Sequence, residues 1–171
     1  MKVDLQWSAH GGGSHKPNRI IVHSMAESVP WDADMVANYG FPEDEGRPVD
    51  AVTLLDRLGL SAHIIVPPAG NPIRLRRDNE IAWHAKGHNF GTLGIEFLVP
   101  GCWSYTNWRS RIDEIGWLPD PAFESGAAVI ADWLNQWDVR SIDRHSDIDP
   151  ERKADPGNGF PWQRLLNQLG V

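Results

Sequence analysis

Short apolar runs and longer amphipathic stretches alternate along this chain, and their spacing predicts its elements. Arg19 to Ser24 (RIIVHS) is a β-branched run with the character of a buried strand ending on His23. Ser61 to Val66 (SAHIIV) and Thr92 to Val99 (TLGIEFLV) have the same character. Ile73 to Leu75 is expected to pair with the second strand across the turn Pro67-Pro68-Ala69-Gly70-Asn71. Asp50 is expected to open a helix through Leu58 that Gly59 closes. Asp120 is expected to cap a longer helix with Pro121 at its first position, because Phe123, Ala127, Ile130, Leu134 and Trp137 recur on one face. Val139 to Ile142 is a short strand candidate, 144–159 a polar loop, and Pro161 to Leu169 a closing helix. The Pro, Gly and acidic residues between Val29 and Pro48 predict a long surface loop with one helical turn near Ala33 to Asn38. Residues 1–18, with the glycines after His10, read as a flexible lead. Strands alternating with helices over residues 19–171 predict one α/β domain with a central mixed sheet flanked by helices.

Composition narrows the function. A length of 171 residues fits one domain, and a net charge of −7 disfavours a broad grip on nucleic-acid phosphates. No run approaches the roughly 18 apolar residues of a spanning helix, so no membrane insertion is expected. The start MKVDLQWSAHGGGSH lacks a secretory h-region, which points to a cytoplasmic protein or to a phage-encoded one released at lysis. Cys102 is the one cysteine, so any metal site must use His and carboxylates. Nine Trp against five Phe is a skewed aromatic set, and several Trp are expected along a groove as well as in the core. Nothing in the pattern indicates an oligomer, and a monomer is expected.

Candidate chemistry lies in three places. His23 ends a buried strand, where a side chain is held rigidly and still reaches a cleft; alone, it reads first as a hydrogen-bonded core or rim histidine. His145 opens a polar stretch containing Asp147, Asp149, Lys153 and Asp155, which by itself is an ordinary solvated run. Glu96 is the sharper anomaly. Alternation places Leu93, Ile95 and Phe97 on one face of its strand and leaves Glu96 between Gly94 and Leu98 on the other. A carboxylate there is either at a solvated edge or buried, and a buried one must be paired, metal-linked or held for catalysis. Two imidazoles, one carboxylate as ligand and a separate carboxylate as base make a candidate catalytic zinc site. No HExxH helix is present to support that reading by spacing.

IIVHS, SAHIIV, IAWHAKG (81–87), LGIEF (93–97) and HSDIDPERKADPG (145–157) occur in an order that resembles the type 2 N-acetylmuramoyl-L-alanine amidases, relatives of the peptidoglycan recognition proteins and of amidase-type phage lysozymes. The last motif is the most specific and resembles the cytoplasmic cell-wall-recycling branch. The resemblance implies zinc bound by His23, His145 and Asp155, with Asp147 left beside the site; Glu96 as the base; and Lys153 as the cation facing the oxyanion. It implies hydrolysis of the amide between the lactyl group of N-acetylmuramic acid and L-alanine in peptidoglycan or muropeptides. Many relatives carry a Tyr where this chain has Ala62, and the presence of Glu96 agrees with that difference. Trp83, His84, Thr92, Arg152 and Trp103 are candidate substrate contacts, and His63 is read as a packed histidine. The segment 100–119, with Trp103, Tyr105, Trp108 and Trp117, is longer than its usual counterpart and forms either a wall for sugar rings or a packing cluster. The alternatives are a peptidoglycan-binding module of the same fold without turnover, and a hydrolase of another amide.

Overall fold

The computed structural model describes residues 3–40 and 46–171. Its centre is a seven-stranded mixed sheet. The strands are β1 (Asp4–Leu5), β2 (Arg19–Pro30), β3 (Pro48–Asp50), β4 (Ile64–Val66), β5 (Ile73–Arg74), β6 (Thr92–Cys102) and β7 (Ser141–Arg144). The helices are α1 (Ala33–Tyr39), α2 (Ala51–Arg57), α3 (Tyr105–Arg111), α4 (Asp120–Gln136), α5 (His145–Ile148) and α6 (Trp162–Leu169). The strand order is β1-β5-β4-β6-β2-β3, and β7 also pairs with β2.

β6 runs parallel to β2 on one side and to β4 on the other, so it is an interior strand, and its residues from Thr92 to Val99 are all buried. One face of the sheet carries Ile20, Val22, Ile64, Val66, Leu93, Ile95 and Phe97. α4 covers that face with Phe123, Ala127, Ile130 and Trp133, and α6 adds Leu165. On the opposite face Ile65, Leu75 and Leu98 pack against Ala51 and Leu55 of α2. His23 and Glu96 lie on this second face, beside α2.

Several expectations are corrected. The segment expected as a flexible lead is tied to the sheet: β1 pairs in parallel with β5, and the backbone N–H groups of Gln6, Ser8 and Gly12 donate to the carbonyls of Arg74, Leu75 and Ile81. Gly11 serves a close approach there, since a Cβ would lie 2.6 Å from the Ile81 carbonyl oxygen. Asp120 does not cap α4; Pro119 takes the cap position, and Asp120 instead accepts from Arg164 of α6 at 2.6 Å. The last strand lies two residues later than the expected 139–142 and ends on Arg144. The stretch expected as a polar loop opens with the single turn α5. In 29–48, β2 continues to Pro30, α1 follows with Asp32 as its cap, and β3 pairs back onto β2; residues 41–45 of that expected loop lie outside the described residues. Among the described residues no helix is long and apolar enough to cross a membrane.

α4 sits close to the sheet at Gly126, where a Cβ would come within 2.2 Å of the Phe97 ring. Phe97 is fully buried and meets Phe160 edge-on at 5.2 Å, so its ring has little room to retreat. Gly→Ala inside a helix normally stabilises by about 0.5–1 kcal/mol. Here overpacking of about 1–3 kcal/mol opposes that gain. Gly126→Ala is therefore expected to lower the unfolding midpoint in a urea titration; a raised midpoint would show that the helix can lift off at little cost.

Candidate active site

Strand register assembles the site. His23 and Glu96 are Cα partners on the parallel pair β2 and β6, so their side chains rise from the same face. The other edge of β2 is taken by β7 as far as Val22 and by β3 from Ser28 onward. β7 pairs Arg144 with Val22, so the next residue, His145, emerges beside His23 as α5 begins. The loop that follows is held in place by its backbone. Ser146 N–H donates to the carbonyl of Asp155, Lys153 N–H to that of Asp149, and Gly159 N–H to that of Ile112. Gly157 and Gly159 allow the contact with α3's end, since Cβ atoms there would lie 2.3 Å and 2.1 Å from the carbonyl oxygens of Ile112 and Glu114.

Three donor atoms converge. His23 Nδ1 and His145 Nδ1 are 2.9 Å apart, and Asp155 Oδ2 lies 3.1 Å from the first and 2.9 Å from the second. All three residues are buried. Burial pushes the His23 imidazolium down to about 4, with the Asp155 contact pulling the other way, so His23 is neutral at physiological pH. Burial pushes Asp155 up, but the facing imidazoles of His145 and His23 outweigh it and hold the carboxyl well below the usual range. Such a trio of lone-pair-bearing atoms is stable only around a proton or a cation. Tetrahedral zinc with bonds of about 2.0–2.1 Å puts its ligand atoms roughly 3.3 Å apart, so the trio fits with a small outward adjustment. His23, His145 and Asp155 can therefore hold a metal ion. Asp147, the competing ligand in the sequence, is exposed and outside this group.

Glu96 is 8 % exposed, and its Oε1 lies 3.9 Å from His23 Nδ1. Its Oε2 is buried without a hydrogen-bond partner among the described residues. Burial first, and the charge of Asp155 second, raise its carboxyl well above the ordinary range, while Lys153 pulls it down. A carboxylate in that setting is a ready proton acceptor. Glu96, Lys153 and the three donors all line one cavity of about 440 Å³. Its remaining wall is mostly apolar: Met25, Met35, Leu54 and Leu58 on the α1–α2 side, and Trp103, Tyr105 and Trp108 on the other.

The candidate substrate contacts separate into two groups. Trp83, 41 % exposed, and Trp103, whose Nε1 donates to the Pro100 carbonyl at 2.7 Å, line the cavity. Thr92 is buried and turned away from it, with its hydroxyl directed at His84 and at loop carbonyls. Arg152 is exposed, outside the cavity lining, and donates to Asp149 at 2.7 Å. His84 touches the cavity, but its Nδ1 lies 2.9 Å from His23 Nε2, so it is the direct neighbour of a donor residue. His63 is packed as expected, with Gly94 N–H donating to its Nδ1. In segment 100–119, Trp117 joins the core, Trp108 is shared between core and cavity, and Trp103 and Tyr105 line the cavity. The apolar α1–α2 wall was not anticipated; its residues are scattered over 25–60 and carry no motif.

The comparisons agree with this geometry. The N-acetylmuramoyl-L-alanine amidase family model matches residues 13–158. The amidase AmiD of Escherichia coli is 31 % identical over 135 residues, which is 68 % of this chain and 46 % of AmiD, so the chain spans about half of that relative's length. The 1,6-anhydro-N-acetylmuramyl-L-alanine amidase AmpD of Enterobacter cloacae is 27 % identical over 169 residues, covering 90 % of this chain and 81 % of AmpD. Solved structures of both kinds share the fold. An AmpD derivative superposes with a TM-score of 0.69 at 19 % identity over 98 % of this chain and 94 % of its own. E. coli AmiD, complexed with anhydro-N-acetylmuramic acid-L-Ala-D-γ-Glu-L-Lys, gives 0.59 at 20 % identity over 97 % and 61 %. A mixed sheet that sets two histidines, an aspartate and a buried glutamate around one cavity, in a chain matched from residue 13 to residue 158, places this protein in the N-acetylmuramoyl-L-alanine amidase family of hydrolases.

Proposed function

We propose that the chain is a zinc-dependent amidase that cleaves the bond between the lactyl carbonyl of N-acetylmuramic acid and L-alanine, with anhydro-muropeptides of the kind named for AmpD and AmiD as substrates. The observation that carries this reading is Glu96, a buried carboxylate 3.9 Å from the His23 nitrogen that belongs to the donor trio. His23, His145 and Asp155 would hold the ion, two neutral ligands and one anion leaving a formal charge of +1. When bound, zinc supplies Lewis acidity at the scissile carbonyl and a water acidic enough to ionise near neutrality. Glu96 accepts the proton of the attacking water and returns it to the departing L-alanine nitrogen. Lys153, on the same cavity wall, faces the charge that grows on the carbonyl oxygen. Trp83, Trp103 and Tyr105 offer flat faces to the sugar and peptide on either side.

A module that only binds its ligand has no use for a buried carboxylate beside the trio whose Oε2 has no hydrogen-bond partner among the described residues, and Glu96 therefore favours turnover. Stripping the protein with a chelator is expected to abolish release of free amino termini from an anhydro-muropeptide, and one equivalent of zinc to restore it. The same zinc should raise the unfolding free energy, by about 2.7 kcal/mol at a free concentration a hundred times its Kd. Full activity in the stripped protein would contradict the zinc reading, and no cleavage in the loaded protein would contradict the amidase reading.

A further inference from the structure

Behind His23 a line of hydrogen bonds leads away from the cavity. His23 Nε2 is 2.9 Å from His84 Nδ1, and His84 Nε2 is 3.1 Å from Thr92 Oγ1. Thr92 Oγ1 in turn lies 2.7 Å from the carbonyl oxygen of His88 and 3.1 Å from that of Asn89. A proton inventory gives the line a direction. Carbonyl oxygens only accept, so the single hydroxyl proton of Thr92 points at them. The Thr92 oxygen then receives a proton from the ring, and Nε2 of His84 is the N–H. Among the described residues no carboxylate pairs with the His84 ring to hold a second proton; its ring partners are His23 Nε2 and Thr92 Oγ1, so the imidazole carries one N–H and His84 Nδ1 is an acceptor. It can only be served by an N–H on His23 Nε2. His23 Nδ1 is left with its lone pair, facing His145 and Asp155.

The ring of His84 is fixed for this task. Gly94, on the interior strand β6, leaves room for it, since a Cβ there would lie 2.5 Å from His84 Cγ and Nδ1. Asn89 Oδ1 accepts from the backbone N–H groups of His84 and Ala85 at 3.1 Å and 2.7 Å. His63, packed edge-on against the ring at 5.8 Å, cannot compete as a donor. Its Nδ1 is held by Gly94 N–H, and its one remaining N–H, on Nε2, points at the Glu80 carbonyl at 2.9 Å.

We propose that His84 and Thr92 are positioning residues that lock His23 in its Nε2–H tautomer, so that the Nδ1 lone pair is presented to a bound metal ion before that ion arrives. The metal part of this inference rests on the zinc reading of the donor trio. Without the Thr92 oxygen, the buried N–H of His84 loses its acceptor. The proton then moves to Nδ1, the His84 N–H donates to His23 Nε2, and the His23 proton is driven onto Nδ1, where it blocks the metal.

Two measurements test the lock. In the zinc-loaded wild-type chain, long-range proton–nitrogen correlation spectra should show His23 and His84 each protonated on Nε2 and bare on Nδ1. Competition with a chromogenic chelator should show zinc affinity falling about 10- to 100-fold in Thr92→Val, the loss typical of removing a ligand's outer partner, and returning in Thr92→Ser. Gly94→Ala should weaken zinc in the same direction by displacing the His84 ring. His84 protonated on Nδ1 in the wild type would overturn the proposal, as would wild-type zinc affinity in Thr92→Val. If Thr92→Val does not fold, the wild-type spectrum decides alone. A wild-type chain that takes up no zinc would overturn the zinc reading and the metal role, whereas the tautomers remain readable in that same metal-free protein.

Discussion

Glu96→Gln is expected to lower kcat for muropeptide cleavage by about 10²- to 10⁴-fold, the range lost when a positioned acid–base group is removed. The amide matches the carboxylate in shape, so the site keeps its form, but its oxygen cannot take the proton of water or hand one to the leaving nitrogen. Zinc content should be unchanged, because Glu96 lies outside the trio of facing donor atoms. Stability should be unchanged or higher. Glu96 Oε2 is buried without a hydrogen-bond partner among the described residues, and removing a poorly paired buried carboxylate relieves a desolvation cost. Initial rates, zinc content and thermal unfolding on the same preparation separate these effects. A variant whose kcat stays within about tenfold of the wild type, below the range for such a group, would remove Glu96 from the chemistry.

Asp155→Ala is expected to act at the other point, metal retention. Asp155 supplies the one anionic donor of the trio, and its carboxylate lies against both imidazoles within 3.1 Å. Without it the site offers two neutral nitrogens, and zinc affinity should fall at least about 100-fold, since an outer partner alone is worth 10- to 100-fold. Asp155→Asn separates charge from shape: it leaves an oxygen in place and removes the negative charge. If charge governs binding, both variants lose zinc; if an oxygen donor suffices, the asparagine variant retains it. Zinc held by Asp155→Ala as tightly as by the wild type would move the site elsewhere.

Some of this site is legible in the residues alone. Period-two alternation in Leu93-Gly94-Ile95-Glu96-Phe97 separates Glu96 from the apolar face, and the sheet puts α4 over that face as expected. Whether Glu96 was buried depended on β6 being interior, a matter of strand order that no local pattern carries. His23 and His145 are 122 residues apart, and they meet because β7 pairs in parallel with β2 and stops one residue short. The motif from His145 to Gly157 contains both His145 and Asp155 of the donor trio, but its clamp on Ile112 and Glu114 depends on the end of α3, a helix inside the segment read as a wall or a packing cluster. Asp120 followed by Pro121 looked like a helix cap, yet long-range pairing with Arg164 claimed the carboxylate. His84 and Thr92 sit in segments whose resemblance suggested substrate contacts. Their orientation depends on Gly94 and on the hydroxyl's choice of carbonyl partners, which only the assembled fold reveals.

The bond that is cut and the product that takes up the water oxygen define the reaction. The decisive measurement is mass spectrometry of the products formed by the zinc-loaded chain from anhydro-N-acetylmuramyl-L-alanyl peptides in ¹⁸O-water. One ¹⁸O in the lactyl carboxylate of the sugar product, together with an unlabelled peptide bearing a free L-alanine amino terminus, is the predicted result. Label in the peptide, a cut at another bond, or intact substrate under full zinc loading would contradict it.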